Sequence, residues 1–401
     1  MAPRLRSASE LHNALPEEAL RVIWLALPVD ARARAACVCR SWRAFLADVS
    51  LWQVLDLTPS GGVAAERVTE NLVRGAVRRA AGQLRTLSLS DGPAWLHTAL
   101  VVELIESDGA ELQQVNAGVW LHMAQLRRVC AAAPRLQVLN GRVVGQCTAL
   151  LPVLRNEPPY APVRVSELIV WFRGAEETEV LAFAAAVAAQ EPLKYLCLEN
   201  GRFAGGVNAL VDAAATRRVS VLELDDCALN AESIPALTRL LQRGSLTRLG
   251  VRCAALPETP EASMLELCAS VRSCRTLTEL TFWLNPVGGV SRRVVTELLD
   301  AAAELPALSV LDLSLSDMQD TADAGRAFGA LLRADLPSLR VLHVFSCHFG
   351  DESLAPLLDG LAANTHLREL DCRNNFPSAA FQRNRLDPAL AALAARAELD
   401  E

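Results

Sequence analysis

The sequence has no cysteine pair of the C-x-x-C kind, although it contains 11 cysteines. Structural zinc sites use Cys or Cys/His pairs at short fixed spacings. The one close pair, Cys37 and Cys39, has no second pair near it, and its closest histidine is His12. A zinc module is therefore excluded, and the scattered, odd-numbered thiols read as reduced, small apolar residues. Long apolar runs are also missing: the most apolar stretch, VLAFAAAVAA from Val180 to Ala189, falls short of the ~20 residues a membrane helix needs. The first residues, MAPRLRSASELHNALPEE, lack the apolar core of a signal peptide. There is no basic stripe, since the arginines are interspersed with acids and the net charge is −7, which argues against a nucleic-acid groove. Walker, GxSxG, HExxH and GxGxxG motifs are absent, and the 6 histidines form no evident triad. A chain of this kind is expected in the cytoplasm and/or nucleus, without cofactor or metal, and with no catalysis of its own. The glycine-containing run NGRFAGGVNAL, Asn200 to Leu210, reads as a loop.

What the sequence does contain is a repeat. From Leu84 onward the pattern apolar-x-x-apolar-x-apolar recurs as LRTLSL (84), LQQVNA (112), LQVLNG (136), VSELIV (165), LKYLCL (193), VSVLEL (219), LTRLGV (246), LTELTF (277), LSVLDL (308), LRVLHV (339) and LRELDC (367). The starts are 24 to 31 residues apart, and WQVLDL at Trp52 reads as a degenerate first copy. Between copies lie amphipathic segments with helix-start chemistry, such as DESLAPLLDGLAANTH and NAESIPALTRLLQRG. A short strand plus a helix cannot bury its apolar face alone, so neighbouring units must stack. The slot three residues past the strand is filled by Cys227, Asn285, Cys347 and Asn375. In this respect the repeats resemble leucine-rich repeats of the ribonuclease-inhibitor-like kind, where that residue is buried and bonds the loop backbone. The implied fold is an α/β leucine-rich-repeat solenoid, a curved parallel sheet with outer helices.

The N-terminal stretch LPEEALRVIWLALPVDARARAACVCRSWRAFLADVSLWQVLDL has a different character. Pro16 with Glu17 and Glu18 starts a helix on which Leu20, Ile23, Trp24 and Leu27 form an apolar stripe. Pro28 breaks it, Asp30 begins a second helix whose small surface is Ala33, Ala36, Cys37 and Cys39, and Trp42, Phe45 and Leu46 form a third. This stretch resembles an F-box in Leu15-Pro16-x-Glu18, Leu27-Pro28, Asp30, Val38-Cys39-x-x-Trp42 and Leu51-Trp52; Ile23-Trp24 stands where the family has Ile-Phe. The expected organisation is an F-box over 11–57, a linker or degenerate repeat over 58–83, about eleven repeats over 84–385, and a capping helix with an acidic tail over 386–401.

The resemblance implies the substrate-recognition subunit of an SCF-type cullin–RING ubiquitin ligase. Leu15, Pro16, Leu20, Ile23, Trp24, Leu27, Pro28, Val38 and Trp42 would bind a Skp-type adaptor, and through it a cullin, while the repeats capture a target protein. The alternative is an interaction scaffold whose F-box-like segment only caps the solenoid. Strand alternation sends positions +2, +4 and +6 of each repeat to the concave face. Aromatic residues are only 5 % of the chain, yet Trp171, Tyr195, Trp283 and Phe345 fall on that face, and Glu199, Glu223 and Asp225 form an acidic cluster beside two of them. These seven residues are the expected target-binding set.

Overall fold

The computed structural model describes residues 15–89, 98–160, 163–189, 193–227, 229, 232–252, 260–283, 291–316, 318 and 322–398. The chain is an α/β solenoid, and its described residues divide into two compact units, within the spans Met1–Gly145 plus Ala149–Leu168 and Gln146–Thr148 plus Ile169–Glu401.

The first unit opens with three short helices, α1 (Glu17–Ala26), α2 (Val29–Ala35) and α3 (Arg40–Phe45). Strand β1 (Val54–Leu57) follows, then α4 (Glu70–Ala80), β2 (Thr86–Leu89), α5 (Thr98–Asp108), β3 (Gln114–His122), α6 (Met123–Ala132) and β4 (Val138–Gln146). Helix α7 (Cys147–Leu154) and β5 (Arg164–Trp171) contain the division between the units. In the second unit α8 (Glu177–Ala189) is followed by β6 (Tyr195–Glu199), α9 (Ala204–Arg217), β7 (Val221–Asp225), α10 (Ser233–Gln242), β8 (Arg248–Arg252), α11 (Glu261–Ser273) and β9 (Glu279–Trp283). It ends with α12 (Arg292–Ala303), β10 (Val310–Asp312), α13 (Ala322–Arg333), β11 (Val341–His343), α14 (Asp351–Ala363), β12 (Glu369–Asp371) and α15 (Asp387–Glu398).

Within each unit every strand pairs in parallel with the next in chain order. The register places like positions of the repeat side by side, as in Leu196↔Leu222, Leu222↔Leu249 and Leu249↔Leu280. Those leucines are fully buried beneath the helices, and the alternating +2, +4 and +6 residues occupy the helix-free face. The chain leaves several strands by the same turn: Asn200, Asp226, Leu315, Ser346 and Asn374, one residue past the +6 position, all have φ between 50° and 59°. The residue that follows then ties the turn down. Cys227 donates its thiol to Leu198 O at 3.3 Å and Cys347 to Leu313 O at 3.3 Å, while Asn375 accepts from Cys347 N and Phe349 N. Asn285 lies outside the described residues.

Two details depart from the expectation. The run Asn200–Leu210 is a loop only to Phe203, because α9 starts at Ala204 and takes Gly205 and Gly206 into the helix. A Cβ on Gly206 would stand 2.5 Å from Val180 Cγ1, so glycine lets α8 and α9 approach. Strand β3 is also longer than its repeat: the pairing shifts from Asn116↔Asn140 to Trp120↔Arg142, which leaves two extra residues in β3.

Candidate adaptor-docking surface and target face

Helix α1 begins behind Pro16, with Glu17 and Glu18 at its positive end. Its sequence, EEALRVIWLA, is apolar on more than one side. Leu20 and Trp24 turn inward, and Trp24 packs edge-on against Trp42 with ring centroids 5.0 Å apart. Of the expected apolar stripe, Leu20 and Trp24 are thus buried in the chain itself, while Ile23 stays exposed. The apolar surface that remains exposed is Val22 at 68 %, Ile23 at 46 %, Leu25 at 52 % and, after α2, Val38 at 57 %. Val22 and Leu25 are three residues apart and so share a helix face. A small apolar cavity of about 210 Å³ is lined by Leu15, Leu20, Ile23, Trp24, Leu27, Ala35 and Trp42. It gathers six of the nine candidate adaptor residues. Pro16 and Pro28 instead stand at the starts of α1 and α2, and Val38 points to solvent. The buried Trp24 Nε1–H has no acceptor among the described residues.

The cysteine pair has different roles from those expected. Cys39 is the N-cap of α3, its sulfur accepting from Trp42 N at 3.5 Å, and Cys37 is exposed, so neither forms a packing surface on α2, which ends at Ala35. The end of the motif is the best-buried part. Trp52 is fully buried, donates Nε1–H to Leu46 O at 2.8 Å, and has the guanidinium groups of Arg32 (5.6 Å) and Arg79 (5.2 Å) over its ring. Arg32 also donates to Leu51 O, and burial lowers its pKa. Arg21 bridges to Asp48 at 2.5 Å; against burial, which raises it, hydrogen bonds from Ser50 and the Arg21 charge hold the Asp48 carboxyl below its ordinary value.

On the helix-free face of the second unit the seven candidate target residues split into groups. Tyr195 donates its hydroxyl to Glu223 Oε2 at 2.8 Å, and Trp171 hydrogen-bonds Glu199. Burial, together with the neighbouring carboxylates, raises the pKa of Glu199; burial raises that of Asp225 despite Arg252. The acids do not form an uncompensated negative patch. Arg252 lies 3.1 Å from Asp225 and 3.8 Å from Glu223; Arg248 lies 3.6 Å from Glu223 and 2.5 Å from Glu279. The guanidinium of Arg252 also covers the Trp283 ring at 5.5 Å, and Trp283 Nε1–H donates to Asp312 at 3.2 Å. A network of alternating charge thus runs from β6 to β10. Phe345 is apart from it, beneath Arg373 at 6.0 Å. Cys197, Glu223 and Asp225 come within metal-ligand distance of one another, but the carboxylates are engaged by arginines and Tyr195, and burial keeps the Cys197 thiol protonated.

The first unit holds a feature that repeat counting missed. Trp120, 49 % exposed, reaches the helix-free face on the two extra residues of β3, and Arg142 stacks on it at 5.5 Å. Beside it is a cavity of about 450 Å³ lined by Leu89, Asn116, Ala117, Gly118, Asn140, Arg142 and Glu167. Its floor is an amide ladder in which Asn140 donates to Asn116 (2.6 Å) and Asn116 to Ser88 (2.8 Å). The sequence signal for this site is the alternation AGVWLH continuing beyond the expected strand.

The N-terminal segment is F-box-like. Residues 12–58 match the F-box-like family model. Among solved structures, a complex of Rad7 and Elc1 from yeast is similar at 14 % identity and a TM-score of 0.40, over 85 % of this chain and 94 % of that one. No curated protein matches. Among the described residues no helix is long and apolar enough to cross a membrane.

Proposed function

We propose that this chain is a substrate receptor of an SCF-type cullin–RING ubiquitin ligase. Its F-box-like segment would dock a Skp-type adaptor, and its repeats would hold a target protein. The observation that carries the reading is an F-box-like match on a segment that leaves Val22, Ile23, Leu25 and Val38 exposed. Exposed apolar surface of this kind marks a partner site. The receptor performs no bond chemistry. It raises the local concentration of target lysines near a charged ubiquitin carrier.

For the target, the network around Trp171, Tyr195, Glu199, Glu223, Asp225 and Trp283 presents both charge signs with aromatic edges between them, and Phe345 adds a second point of contact. A surface of this make-up suits a segment of mixed charge with apolar anchors rather than a purely basic one. The cap reading has its own support, because Trp52, bonded to Leu46 beside the third helix, also carries Arg79 of α4 on its ring. Co-purification separates the two. The receptor recovers a Skp-type adaptor and a cullin, whereas a scaffold recovers neither. A Trp171→Ala/Trp283→Ala chain should keep the adaptor and lose the target; equal recovery of target moves that site to Trp120 and the amide ladder.

A further inference from the structure

The chain contains 39 basic Lys and Arg residues, and reading along it finds one lysine, Lys194. Every cation in the described ion pairs is accordingly arginine or histidine. This includes exposed surface pairs such as Arg155–Glu157 and Arg293–Glu261, each at 3.9 Å, where lysine would serve as well. The distinction is chemical. A lysine Nζ in its free-base form can attack the thioester carbonyl of a charged ubiquitin carrier. The C–N bond forms, the C–S bond breaks, and the carrier cysteine leaves with the proton the amine gives up. An arginine guanidinium stays protonated and delocalised near neutral pH and makes no such attack. A receptor tethered beside the carrier presents its own amines at high effective concentration, in competition with the target's.

Lys194 is placed where it can react. It is exposed, immediately ahead of β6, and no ion pair holds it among the described residues. Its backbone is fixed at the end of a ladder of hydroxyls. Ser220 Oγ donates to Lys194 O, Thr247 Oγ1 to Ser220 O, Thr278 Oγ1 to Thr247 O and Ser309 Oγ to Thr278 O, at 2.9 to 3.1 Å. The next residue is Tyr195, whose hydroxyl is bonded to Glu223.

We propose that the chain is spared by the ubiquitin transfer it directs, and that Lys194 is the one side chain through which it can itself be modified. The proposal rests on the receptor reading. Its test uses the full chain assembled with a Skp-type adaptor, a cullin–RING module, a carrier enzyme, ubiquitin and ATP, with conjugates mapped by mass spectrometry. Wild type should carry ubiquitin on Lys194 and on no other side chain, and Lys194→Arg should lose it. Arg78→Lys, Arg127→Lys and Arg275→Lys together keep the charge at three exposed positions; this variant should gain conjugates at those sites and be modified several-fold faster. If adaptor is bound yet the three new lysines stay bare, or if Lys194→Arg is still conjugated on a side chain, the proposal is overturned and the receptor reading stands. If no adaptor is retained, both fall.

Discussion

Val22, Ile23 and Leu25 on α1 are the side chains whose removal should cost adaptor binding while leaving the chain folded. Complete burial of a Val, Ile or Leu side chain stabilises by about 1.5–3 kcal/mol. These three keep roughly half to two thirds of their surface in water, so docking has about 1–1.5 kcal/mol to gain from each, or about 3–4 kcal/mol from the three. Val22→Ser/Ile23→Ser/Leu25→Ser should therefore weaken adaptor binding by about 10²- to 10³-fold. The third to half of each side chain that the fold buries is lost as well, so the melting temperature should fall by some degrees while the transition stays cooperative. Trp24→Ala provides the contrast. It removes a buried ring and its contact with Trp42, which should cost about 3–5 kcal/mol of folding stability whatever the adaptor does. Titration calorimetry of the full chain with a Skp-type adaptor, alongside circular-dichroism melts, measures both. A triple-serine chain that binds within threefold of wild type would refute the assignment of this surface to the adaptor.

Other outcomes follow from the repeats. Leu311 and Leu342 are register partners with no exposed surface, so Leu342→Ala should cost about 2–5 kcal/mol and speed hydrogen exchange first in β10 to β12, since coupling is between neighbours. Asp335 accepts from Thr365 N and Oγ1 and faces His366, and the Thr365 bonds, backbone first, bring its carboxyl from 3.8 down to about 2. Its folded pKa is the depressed one, so its contribution is complete above the unfolded value and is lost as pH falls towards 2; Asp335→Asn should flatten that limb of an acid-melting curve. Thiol labelling at neutral pH should mark Cys37 ahead of Cys130 and Cys372, because Cys37 is exposed while burial pushes those two up to about 11. Peptide mapping of the alkylated chain checks it, and early labelling of Cys130 would count against the packed core.

The repeat frame was legible because its signal lies along the chain: apolar residues at fixed offsets placed each strand, from Val54 to Glu369, within a residue or two of its observed start. Three things lay outside that signal. The extra pair of residues in β3 keeps the alternation intact, so the repeat spacing alone does not show that the strand carries on to Trp120. The arginines that neutralise Glu223 and Asp225 sit about one repeat away in sequence, on β8, and a column of residue names does not say which charges meet. In α1 the apolar residues Leu20, Val22, Ile23, Trp24 and Leu25 surround the helix, so periodicity could not decide which faced inward; packing of Trp24 on Trp42 did.

The position of Trp52 bears on how this protein can be dismantled. The residue that closes the F-box-like segment is held both by Arg32 of α2 and by Arg79 of α4, beyond the first strand. A cut at residue 57 would sever no spacer. It would strip β1 from its only described neighbour, β2, and leave a parallel edge open to self-association. Transplanting the docking module onto another scaffold would thus require carrying at least residues 15 to 80. Conversely, a truncation meant to silence adaptor binding alone would also unseat the first repeat.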